Sequence, residues 1–277
     1  MTPVHKALWF VESHSREPIA LEDIAKACHV SPFHLTRAFA ASTGLSLMRY
    51  VRARRLSDAA RQLAGGAEDI LRLALDAGYG SHEAFTRAFR DQFGHTPEQV
   101  RAQGHTLNLL LTEPIAMTTT PPIDLAPPRF EMLKPLPLVG LVERHLCQSP
   151  VGIPDQWQRF NQHAGRIPGQ VGKTAYGTCY NFDREGNFDY QCGVEVAGDA
   201  ALPQGFARLL VPANKYVVFA HSGHVAAIRA TFSAIWSDWF PQSGHEAIEA
   251  PTLERYGQEF NSLTGLGGFE IWIAIKA

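Results

Sequence analysis

Two Thr-Arg pairs stand 50 residues apart, because the tetrapeptide Thr-Arg-Ala-Phe occurs at residues 36–39 and again at residues 86–89. The same offset relates Ser31 to Ser81. An arginine guanidinium can donate two hydrogen bonds to the edge of a guanine, and a threonine can contact base edges through its hydroxyl or methyl group. The repeat predicts one small structural unit used twice, with groups suited to contact a nucleic acid.

A second chemical pattern lies near the C-terminus, where Glu270 and Trp272 are two residues apart in the apolar stretch 269–276. In a β-strand these two side chains share one face of the sheet. A carboxylate beside aromatic rings can hold an amphiphilic organic cation, because ion pairing adds to a cation–π attraction of about 0.5–2 kcal/mol. The pattern predicts a pocket for a lipophilic cation.

The first copy of the repeated unit is expected to contain a helix, a turn and a second helix. The spacing of apolar residues predicts helices at 4–12 and 21–28. Ser31 then caps a third helix, which ends before Gly44. The apolar positions of this third helix point to the core, so its exposed flank is predicted to present four residues: Phe33, His34, Thr36 and Arg37.

The second copy follows a connecting helix predicted for residues 46–64, which contain no Gly or Pro. At ~1.5 Å per residue this helix spans roughly 28 Å, near the ~34 Å between successive major-groove faces of B-DNA, so it could hold both units on one side of a duplex. Ser81 caps the next helix, which ends at Gly94. Phe85 and Phe89 are predicted to be buried. Four residues are left outward: His82, Glu83, Thr86 and Arg87.

The charge of the chain is divided unevenly. Residues 1–105 contain 13 Lys and Arg against 11 Asp and Glu, a net charge of +2, whereas residues 106–277 contain 12 against 16, a net charge of -4. The basic excess lies on the half that carries the repeat, which favours a nucleic-acid partner there. Apolar runs are shorter than the roughly 20 residues of a membrane span, and no signal sequence is recognised, so we expect a cytoplasmic protein without a membrane partner.

The four cysteines include no C-x-x-C pair. Their apolar or strand-like surroundings are typical of buried free thiols, and we expect neither a disulfide nor a zinc site. His221 and His224 are three residues apart without further ligands nearby in the sequence, so we also expect no metal there. No cofactor-binding motif and no catalytic motif is present.

The repeat resembles the AraC/XylS family of bacterial transcription regulators. The second copy carries the spaced pattern of that family: Ile70-x-x-x-Ala74-x-x-x-Gly78-Tyr79-x-Ser81-x-x-x-Phe85-x-Arg87-x-Phe89-x-x-x-x-Gly94-x-Thr96-Pro97. The resemblance covers residues 3–105. It implies an all-α DNA-binding domain with two helix-turn-helix motifs, in which the second helix of each motif enters the major groove.

The AraC resemblance also implies which residues contact double-stranded DNA: Phe33, Thr36, Arg37, His82, Glu83, Thr86 and Arg87. Arg37 is expected on a guanine and Glu83 on a cytosine amino group. The alternative for Arg37 and Arg87 is a contact to phosphates or an ion pair with a neighbouring carboxylate. Residues 33–34 and 83–84 differ in type, so the two helices should contact different bases in an asymmetric promoter site. RNA polymerase is the expected protein partner, and DNA binding would place the protein at the nucleoid.

The C-terminal half has a different pattern. A Thr- and Pro-rich segment at residues 106–129 is predicted to link the DNA-binding domain, 1–105, to a second domain, 130–277. That domain is expected to be α+β and to consist of two strand–helix–strand–strand repeats, with a ligand groove along their pseudo-symmetry axis. We predict strands at 130–134, 138–145, 175–182, 188–196, 207–211, 215–221, 253–260 and 269–276, and helices at 155–165 and 226–240.

This half resembles the GyrI-like domain, a multidrug-sensing module found in some AraC regulators. The residues that carry the resemblance are Tyr216-Val217-Val218-Phe219-x-His221-x-Gly223, Trp236, Trp239-Phe240-Pro241, Glu254-x-Tyr256 and Phe269-Glu270-Ile271-Trp272-Ile273. The resemblance implies that Glu270 is the acidic residue for cationic ligands. With it we select as ligand-binding residues Glu270, Trp272, Glu195, Tyr176, Tyr256 and Trp236. The alternative is that Trp236 is a core residue and Glu270 an exposed strand charge.

These observations predict a sequence-specific DNA-binding transcription regulator whose C-terminal domain senses a small cationic amphiphile. A second possibility is a GyrI-like hydrolase fused to a DNA-binding domain, with Glu270 or Glu195 as a general base assisted by a tyrosine. A third is a protein-interaction module. We expect a regulator and not an enzyme, because the sequence contains no catalytic motif. The fused DNA-binding half argues against protein interaction as the main role.

Overall fold

A computed structural model describes residues 1–14, 17–116, 123–147, 152–183, 185–198 and 202–277. These residues form two compact units. One unit, which we call the N-terminal unit, contains residues 3–32 and 47–116. The other, the C-terminal unit, contains residues 33–46 and the described residues of 123–277. The Pro121-Pro122 pair of the predicted linker lies outside the described residues, and the domain boundaries at 105 and 130 stay a prediction.

The helices of the N-terminal part agree with the predicted ones to within a few residues. They are α1 (Pro3–Ser13), α2 (Leu21–Cys28), α3 (Pro32–Thr43), α4 (Leu47–Ala64), α5 (Ile70–Asp76), α6 (His82–Phe93) and α7 (Pro97–Gln103). Helix α6 begins where the Ser81 side chain accepts a hydrogen bond from the Ala84 amide at 3.1 Å. It ends at Gly94, which has the left-handed φ of 71° that favours glycine. The predicted all-α character is confirmed.

An aromatic stack forms the centre of the unit that contains α4 to α7. Phe85 and Phe89 are fully buried, as predicted, and Phe93 is nearly so. The ring centroids of Phe85 and Phe89 are 5.5 Å apart, and those of Phe89 and Phe93 are 4.8 Å apart. Because these three rings hold one face of α6 in the core, the opposite face is presented to solvent.

A polar cluster joins α1 to α4 in the same unit. Arg54 donates to both carboxylate oxygens of Glu12, from Nε to Oε1 at 3.0 Å and from Nη2 to Oε2 at 2.9 Å. Tyr50 donates to Glu12 Oε1 at 2.6 Å, and Arg54 also donates to the Thr112 carbonyl at 2.9 Å. Burial by itself raises the pKa of Glu12, but the hydrogen bonds from Arg54 and Tyr50 outweigh it, so the pKa of Glu12 is lowered.

Replacing Glu12 with Gln is expected to lower the free energy of unfolding by about 1–2 kcal/mol at neutral pH, because the charge-assisted hydrogen bonds are lost. A lowered pKa means that the ionised Glu12 stabilises the fold above its unfolded-state pKa, and that this stabilisation disappears as the pH falls through the folded-state value. Urea unfolding at neutral and acidic pH measures the difference. The exposed Glu68→Gln is the control and should change little; an equal loss at both pH values would contradict the assignment.

The C-terminal unit is dominated by an eight-stranded antiparallel sheet. Its strands are β1 (Arg129–Leu133), β2 (Leu136–Leu146), β3 (Gln170–Tyr180), β4 (Asn187–Val196), β5 (Phe206–Val211), β6 (Asn214–His221), β7 (Thr252–Tyr256) and β8 (Phe269–Ile275). They lie in the order β1-β6-β8-β7-β3-β4-β2-β5. The predicted α+β repeats are confirmed. Each repeat is preceded in the chain by one further strand, which pairs with the outer strand of the other repeat: β1 pairs with β6, and β5 pairs with β2.

In the described part of the C-terminal half, two helical segments accompany the sheet. Helix α8 (Gly152–Asn161) packs on β2 and β4, with Phe160 fully buried. The second segment, which we call the 225–243 helix, runs without interruption through a 3-10 turn, α9 (Ile228–Ala234), a π-helical turn (Ile235–Trp239) and α10 (Phe240–Ser243). Helix α3 lies against the 225–243 helix, and Ser42 Oγ is 3.0 Å from the hydroxyls of both Ser233 and Ser237.

Candidate ligand cavity and DNA-contact helices

Helix α6 presents two of its four predicted DNA-contact residues openly to solvent. Glu83 and Arg87 are exposed, whereas His82 and Thr86 are partly buried. His82 Nε2 lies 3.1 Å from Glu98 Oε1 on α7. The Thr86 hydroxyl oxygen is buried, so it needs a different rotamer to contact a base. The DNA contacts of all four residues stay predictions.

The flank of α3 that was predicted to be exposed is packed against the 225–243 helix. His34 is buried, with only 7% of its surface exposed, so the expectation of an exposed His34 was wrong. Its ring centroid lies 5.5 Å from that of Trp236 and 5.8 Å from that of Phe240. The Phe33 ring also meets Trp236 edge-on at 5.9 Å. Aromatic partners far away in the sequence cover this flank.

Arg37 of α3 extends onto the sheet. Its guanidinium carbon lies 3.7 Å from the ring centroid of Phe182 and 5.7 Å from that of Trp236. Its Nη2 donates to Thr252 Oγ1 at 3.1 Å. Burial lowers the pKa of Arg37 from its very high ordinary value. An arginine guanidinium keeps its charge in proteins at physiological pH. Arg37 is therefore a cation stacked on an aromatic face inside the C-terminal unit.

A cavity of about 840 Å³ opens beside Arg37, and the sheet, α8, the 225–243 helix and α3 all contribute to its wall. This volume is within the range of small-molecule sites. Aromatic side chains form much of the lining: Trp157, Phe182, Phe188, Tyr190, Phe232, Trp236, Tyr256 and Phe260. The charged side chains that the described residues contribute to the wall are Arg37, Lys173, Arg229 and Glu254.

Glu254 on β7 is the acidic residue of the cavity. It is buried, and its Oε2 accepts hydrogen bonds from Tyr190 at 2.6 Å and from Tyr256 at 2.8 Å. Trp157 Nε1 in turn donates to the Tyr190 hydroxyl at 3.0 Å. Burial raises the pKa of Glu254, and the two tyrosine hydrogen bonds lower it by less. The cavity thus contains a carboxylate held in a defined orientation among aromatic rings.

The absence of a side chain at Gly177 makes room for this carboxylate. Gly177 on β3 pairs with Glu254 on β7, and a Cβ at position 177 would lie 2.6 Å from Glu254 Oε2 and also clash with the Tyr190 hydroxyl. A side chain at this position would displace the hydrogen-bonded group of Glu254 and Tyr190. The glycine is needed for close approach and not for an unusual backbone conformation.

The cavity brings together two of the six predicted ligand residues, Tyr256 and Trp236. The buried Trp236 is at once a core residue and a lining residue. The other four lie outside the cavity lining: Glu270, Trp272, Glu195 and Tyr176. Their assignment to a ligand stays a prediction that this cavity does not support.

Glu270 is engaged in ion pairs on the other face of the sheet. Its neighbour Ile271 pairs with Glu254, whereas Glu270 pairs with Arg255, so strand alternation turns Glu270 away from the cavity. Glu270 lies 2.7 Å from Arg129 Nη2 and 3.2 Å from Arg255 Nη1, and it accepts from Trp272 Nε1 at 3.0 Å. The carboxylate of Glu270 is therefore neutralised by residues of the protein itself.

Sequence reasoning missed Glu254, although a signal was present. Tyr256 was selected as a ligand residue, and Glu254 precedes it by two positions on the same predicted strand. Because side chains two apart in a strand share a face, a pocket that includes Tyr256 also has Glu254 in its wall.

The described ranges contain neither a metal-binding cluster nor a membrane-spanning helix. No cluster of three or more His, Cys, Asp or Glu side chains is placed to hold a metal ion. His221 instead contacts the Thr231 hydroxyl through Nδ1 at 2.8 Å. Separately, none of the helices in the described part of the chain has the length and apolar character needed to cross a membrane.

Paired helix-turn-helix sequences followed by an α+β domain with a central cavity define a class of protein: DNA-binding transcription regulators that carry their own ligand-binding domain. Residues 126–276 match the GyrI-like small molecule binding domain, and residues 24–103 match a helix-turn-helix domain. The chain belongs to the GyrI-like family and, through its N-terminal region, to the AraC-type regulators.

Relatives support both halves of this assignment. The transcriptional regulator Rob of Salmonella typhimurium is 28% identical over 278 residues, which cover 95% of this chain and 92% of Rob. The right origin-binding protein of Escherichia coli K12 is 27% identical over 266 residues, 91% of this chain and 89% of that protein. The multiple antibiotic resistance protein MarA of Escherichia coli K12 is 34% identical over 98 residues, 35% of this chain and 77% of MarA. The predicted regulator with a GyrI-like ligand-binding domain is confirmed.

Proposed function

We propose that this regulator binds an amphiphilic organic cation in the cavity around Glu254 and couples that binding to transcription. The observation that carries the proposal is the buried carboxylate of Glu254, held by Tyr190 and Tyr256 in a cavity with aromatic walls. An ionised carboxylate supplies the charge attraction, and ring faces add cation–π attraction of about 0.5–2 kcal/mol. A role on DNA places the protein in the cytoplasm, at the nucleoid when bound.

Ligand selectivity tests the charge part of this proposal. Rhodamine 6G is a permanent aromatic cation, and rhodamine B has a similar ring system but is zwitterionic at neutral pH. Fluorescence anisotropy titrations should show tighter binding of rhodamine 6G, because only this dye lacks a carboxylate that Glu254 would repel. Equal affinities for the two dyes would remove the charge argument.

The affinity for rhodamine 6G is expected to rise with pH. Burial raises the pKa of Glu254, so a larger fraction of this carboxyl is protonated at mildly acidic pH than for an ordinary glutamate. A cation binds better to the ionised form, and binding therefore strengthens as the pH rises through this raised pKa and then levels off. Titrations at a series of pH values measure the effect, and the same titrations with rhodamine B serve as the control. An affinity that falls with rising pH would contradict the role of Glu254.

We further propose that α3 and α6, the second helices of the two motifs and here called the recognition helices, bind an asymmetric site in double-stranded DNA. The contact residues that we propose are Phe33, Thr36, Arg37, His82, Glu83, Thr86 and Arg87. RNA polymerase is the proposed protein partner. Support comes from the helix-turn-helix match and from the exposed Glu83 and Arg87 on α6. Selection of bound duplexes from a random pool, with and without rhodamine 6G, tests the DNA part. No enriched sequence in either condition would refute it.

Replacing Arg87 with Ala is expected to weaken binding to the selected duplex by about 10- to 100-fold, since one lost arginine contact costs roughly 1–3 kcal/mol. Selection with the variant distinguishes the two roles left open for Arg87. Loss of a base contact relaxes the base preference at one position of the site. Loss of a phosphate contact weakens binding to all sequences alike. Arg72→Ala on α5 makes the same charge change outside the recognition helix and should have a smaller effect; an equal effect would contradict the assignment.

These proposals describe a sensor and not a hydrolase. Rob, which aligns with 95% of this chain, is a transcriptional regulator by name, and both tyrosines next to Glu254 donate their hydroxyl hydrogens to it. Hydrogen bonds of this kind hold a carboxylate in place for a ligand.

A further inference from the structure

The recognition helix α3 forms part of the wall of the ligand cavity. Four of its residues line this cavity: Thr36, Arg37, Ala40 and Ala41. The helix is held there by three kinds of contact in the C-terminal unit. These contacts are the Phe33 and His34 rings on Trp236, the hydrogen bonds of Ser42 with Ser233 and Ser237, and the Arg37 contacts with Phe182 and Thr252.

The Arg37 guanidinium lies where we would expect the charged group of a bound organic cation. The guanidinium is stacked 3.7 Å above the Phe182 ring centroid, and it lies over the same strand as Glu254, two residues away at Thr252. Thr252 and Glu254 share one face of β7 by strand alternation. The aromatic cavity that we propose for a cationic ligand therefore already contains a cation that belongs to the protein.

The charges of the wall make the docked state of α3 unfavourable for a second cation. Among the described residues of the wall, three basic side chains, Arg37, Lys173 and Arg229, face a single carboxylate, Glu254. An added cation is repelled by Arg37 at short range in a poorly solvated site. Departure of Arg37 removes one positive charge and exposes the Phe182 ring face, so a cation binds better when α3 has left.

The docked state of α3 is also incompatible with DNA contacts by the same helix. Phe33, Thr36 and Arg37 are the predicted DNA-contact residues of α3, and all three are partly buried in the C-terminal unit. A side chain that is packed on Trp236 or stacked on Phe182 cannot at the same time reach a base in the major groove.

We propose that Arg37 is an internal occupant of the cation site, and that an organic cation competes with it and thereby releases α3 for DNA binding. The proposal rests on the proposed cation binding at Glu254. Both DNA and the cation prefer the undocked helix, so each raises the affinity for the other by the same factor. Couplings of this kind are commonly about 5- to 150-fold.

A reversible crosslink tests whether docking blocks DNA. The hydroxyl oxygens of Ser42 and Ser237 are 3.0 Å apart, so the double variant S42C/S237C places two thiols close enough to form a disulfide that locks α3 on the 225–243 helix. We expect the oxidised full-length protein to lose at least about tenfold in affinity for the selected duplex and for rhodamine 6G. Reduction should restore both affinities. The single variant S42C should show no such dependence on oxidation.

Two outcomes of the crosslinking experiment would overturn the proposal. The first is an oxidised protein that binds the duplex and the dye as tightly as the reduced one. The second is a disulfide that does not form under oxidising conditions, although the thiols of the single variants S42C and S237C each react with a thiol reagent. In that case α3 does not dock on the 225–243 helix at this place.

A substitution on β7 removes the hydrogen-bond acceptor of Arg37 without changing α3. T252V deletes the hydroxyl that accepts from Arg37 and leaves the wall of the cavity unchanged, because Thr252 is not among the lining residues. We expect tighter duplex binding without dye and a smaller further gain on adding rhodamine 6G. Unchanged duplex affinity and an unchanged gain would contradict the competition.

Failure of the competition is distinguishable from failure of the proposed function. If rhodamine 6G does not bind the wild-type protein, the cation-binding function fails, and the competition fails with it. If the dye binds wild type in a Glu254-dependent manner but the locked protein binds dye and duplex normally, only the competition fails.

Discussion

Replacing Glu254 with Gln is expected to weaken the binding of rhodamine 6G by roughly 30- to 150-fold, about 2–3 kcal/mol of binding free energy. The glutamine side chain keeps nearly the same shape, and its carbonyl oxygen can still accept hydrogen bonds from Tyr190 and Tyr256. The substitution therefore removes the charge and leaves the cavity otherwise intact. The rise of affinity with pH should also disappear, because no ionisable carboxyl remains at this position.

The matched control is Glu270→Gln. It makes the same chemical change at the carboxylate that the sequence pattern selected, which lies on the other face of the sheet between Arg129 and Arg255. Dye binding should change little in this variant. Anisotropy titrations of both variants, together with thermal unfolding to verify the fold, decide between the two residues. A large loss in E270Q without one in E254Q would restore the prediction made from sequence and refute the cavity assignment.

Replacing Phe89 with Ala is expected to destabilise the N-terminal unit by about 3–5 kcal/mol, the usual loss when a fully buried aromatic side chain is deleted from a core. Phe89 is completely buried, and its ring lies between those of Phe85 and Phe93. The cavity left behind cannot close without moving α6, which carries Glu83 and Arg87. Sequence-specific DNA binding should therefore fall together with stability.

Urea unfolding followed by circular dichroism measures the effect of F89A, and Leu71→Ala provides the control. Leu71 lies on α5 in the same unit but is 52% exposed, so its truncation should change the free energy of unfolding by no more than about 0.5 kcal/mol. Comparable losses in the two variants would show that the aromatic stack does not form the core of this unit.

The helices of the N-terminal half were predictable because local interactions specify them. Ser81 and Gly94 limit α6 through hydrogen bonding and backbone conformation within a few residues, and both act as predicted. The burial of Phe85 and Phe89 also follows from helical spacing alone. The order of strands and helices in the C-terminal half was predictable for the same reason, and the family match covers both halves.

The choice between Glu254 and Glu270 could not be made from one strand considered alone. Strand alternation determines which residues share a face, but not which face borders the cavity. That depends on where α8, the 225–243 helix and α3 cover the sheet. The pairing of Glu270 with Arg129 and Arg255 likewise joins residues from three strands.

The Thr-Arg pair at residues 36–37 has both local properties that the sequence determines and long-range contacts that only the tertiary structure determines. Sequence by itself determined that this pair lies on a helix with Phe39 in the core, because spacing and capping are local properties. Only the tertiary structure decided that Arg37 is stacked on Phe182 and bonded to Thr252, 215 positions away in sequence. Such long-range contacts depend on the packing of distant elements, and the periodicity of a single helix contains no information about its partner.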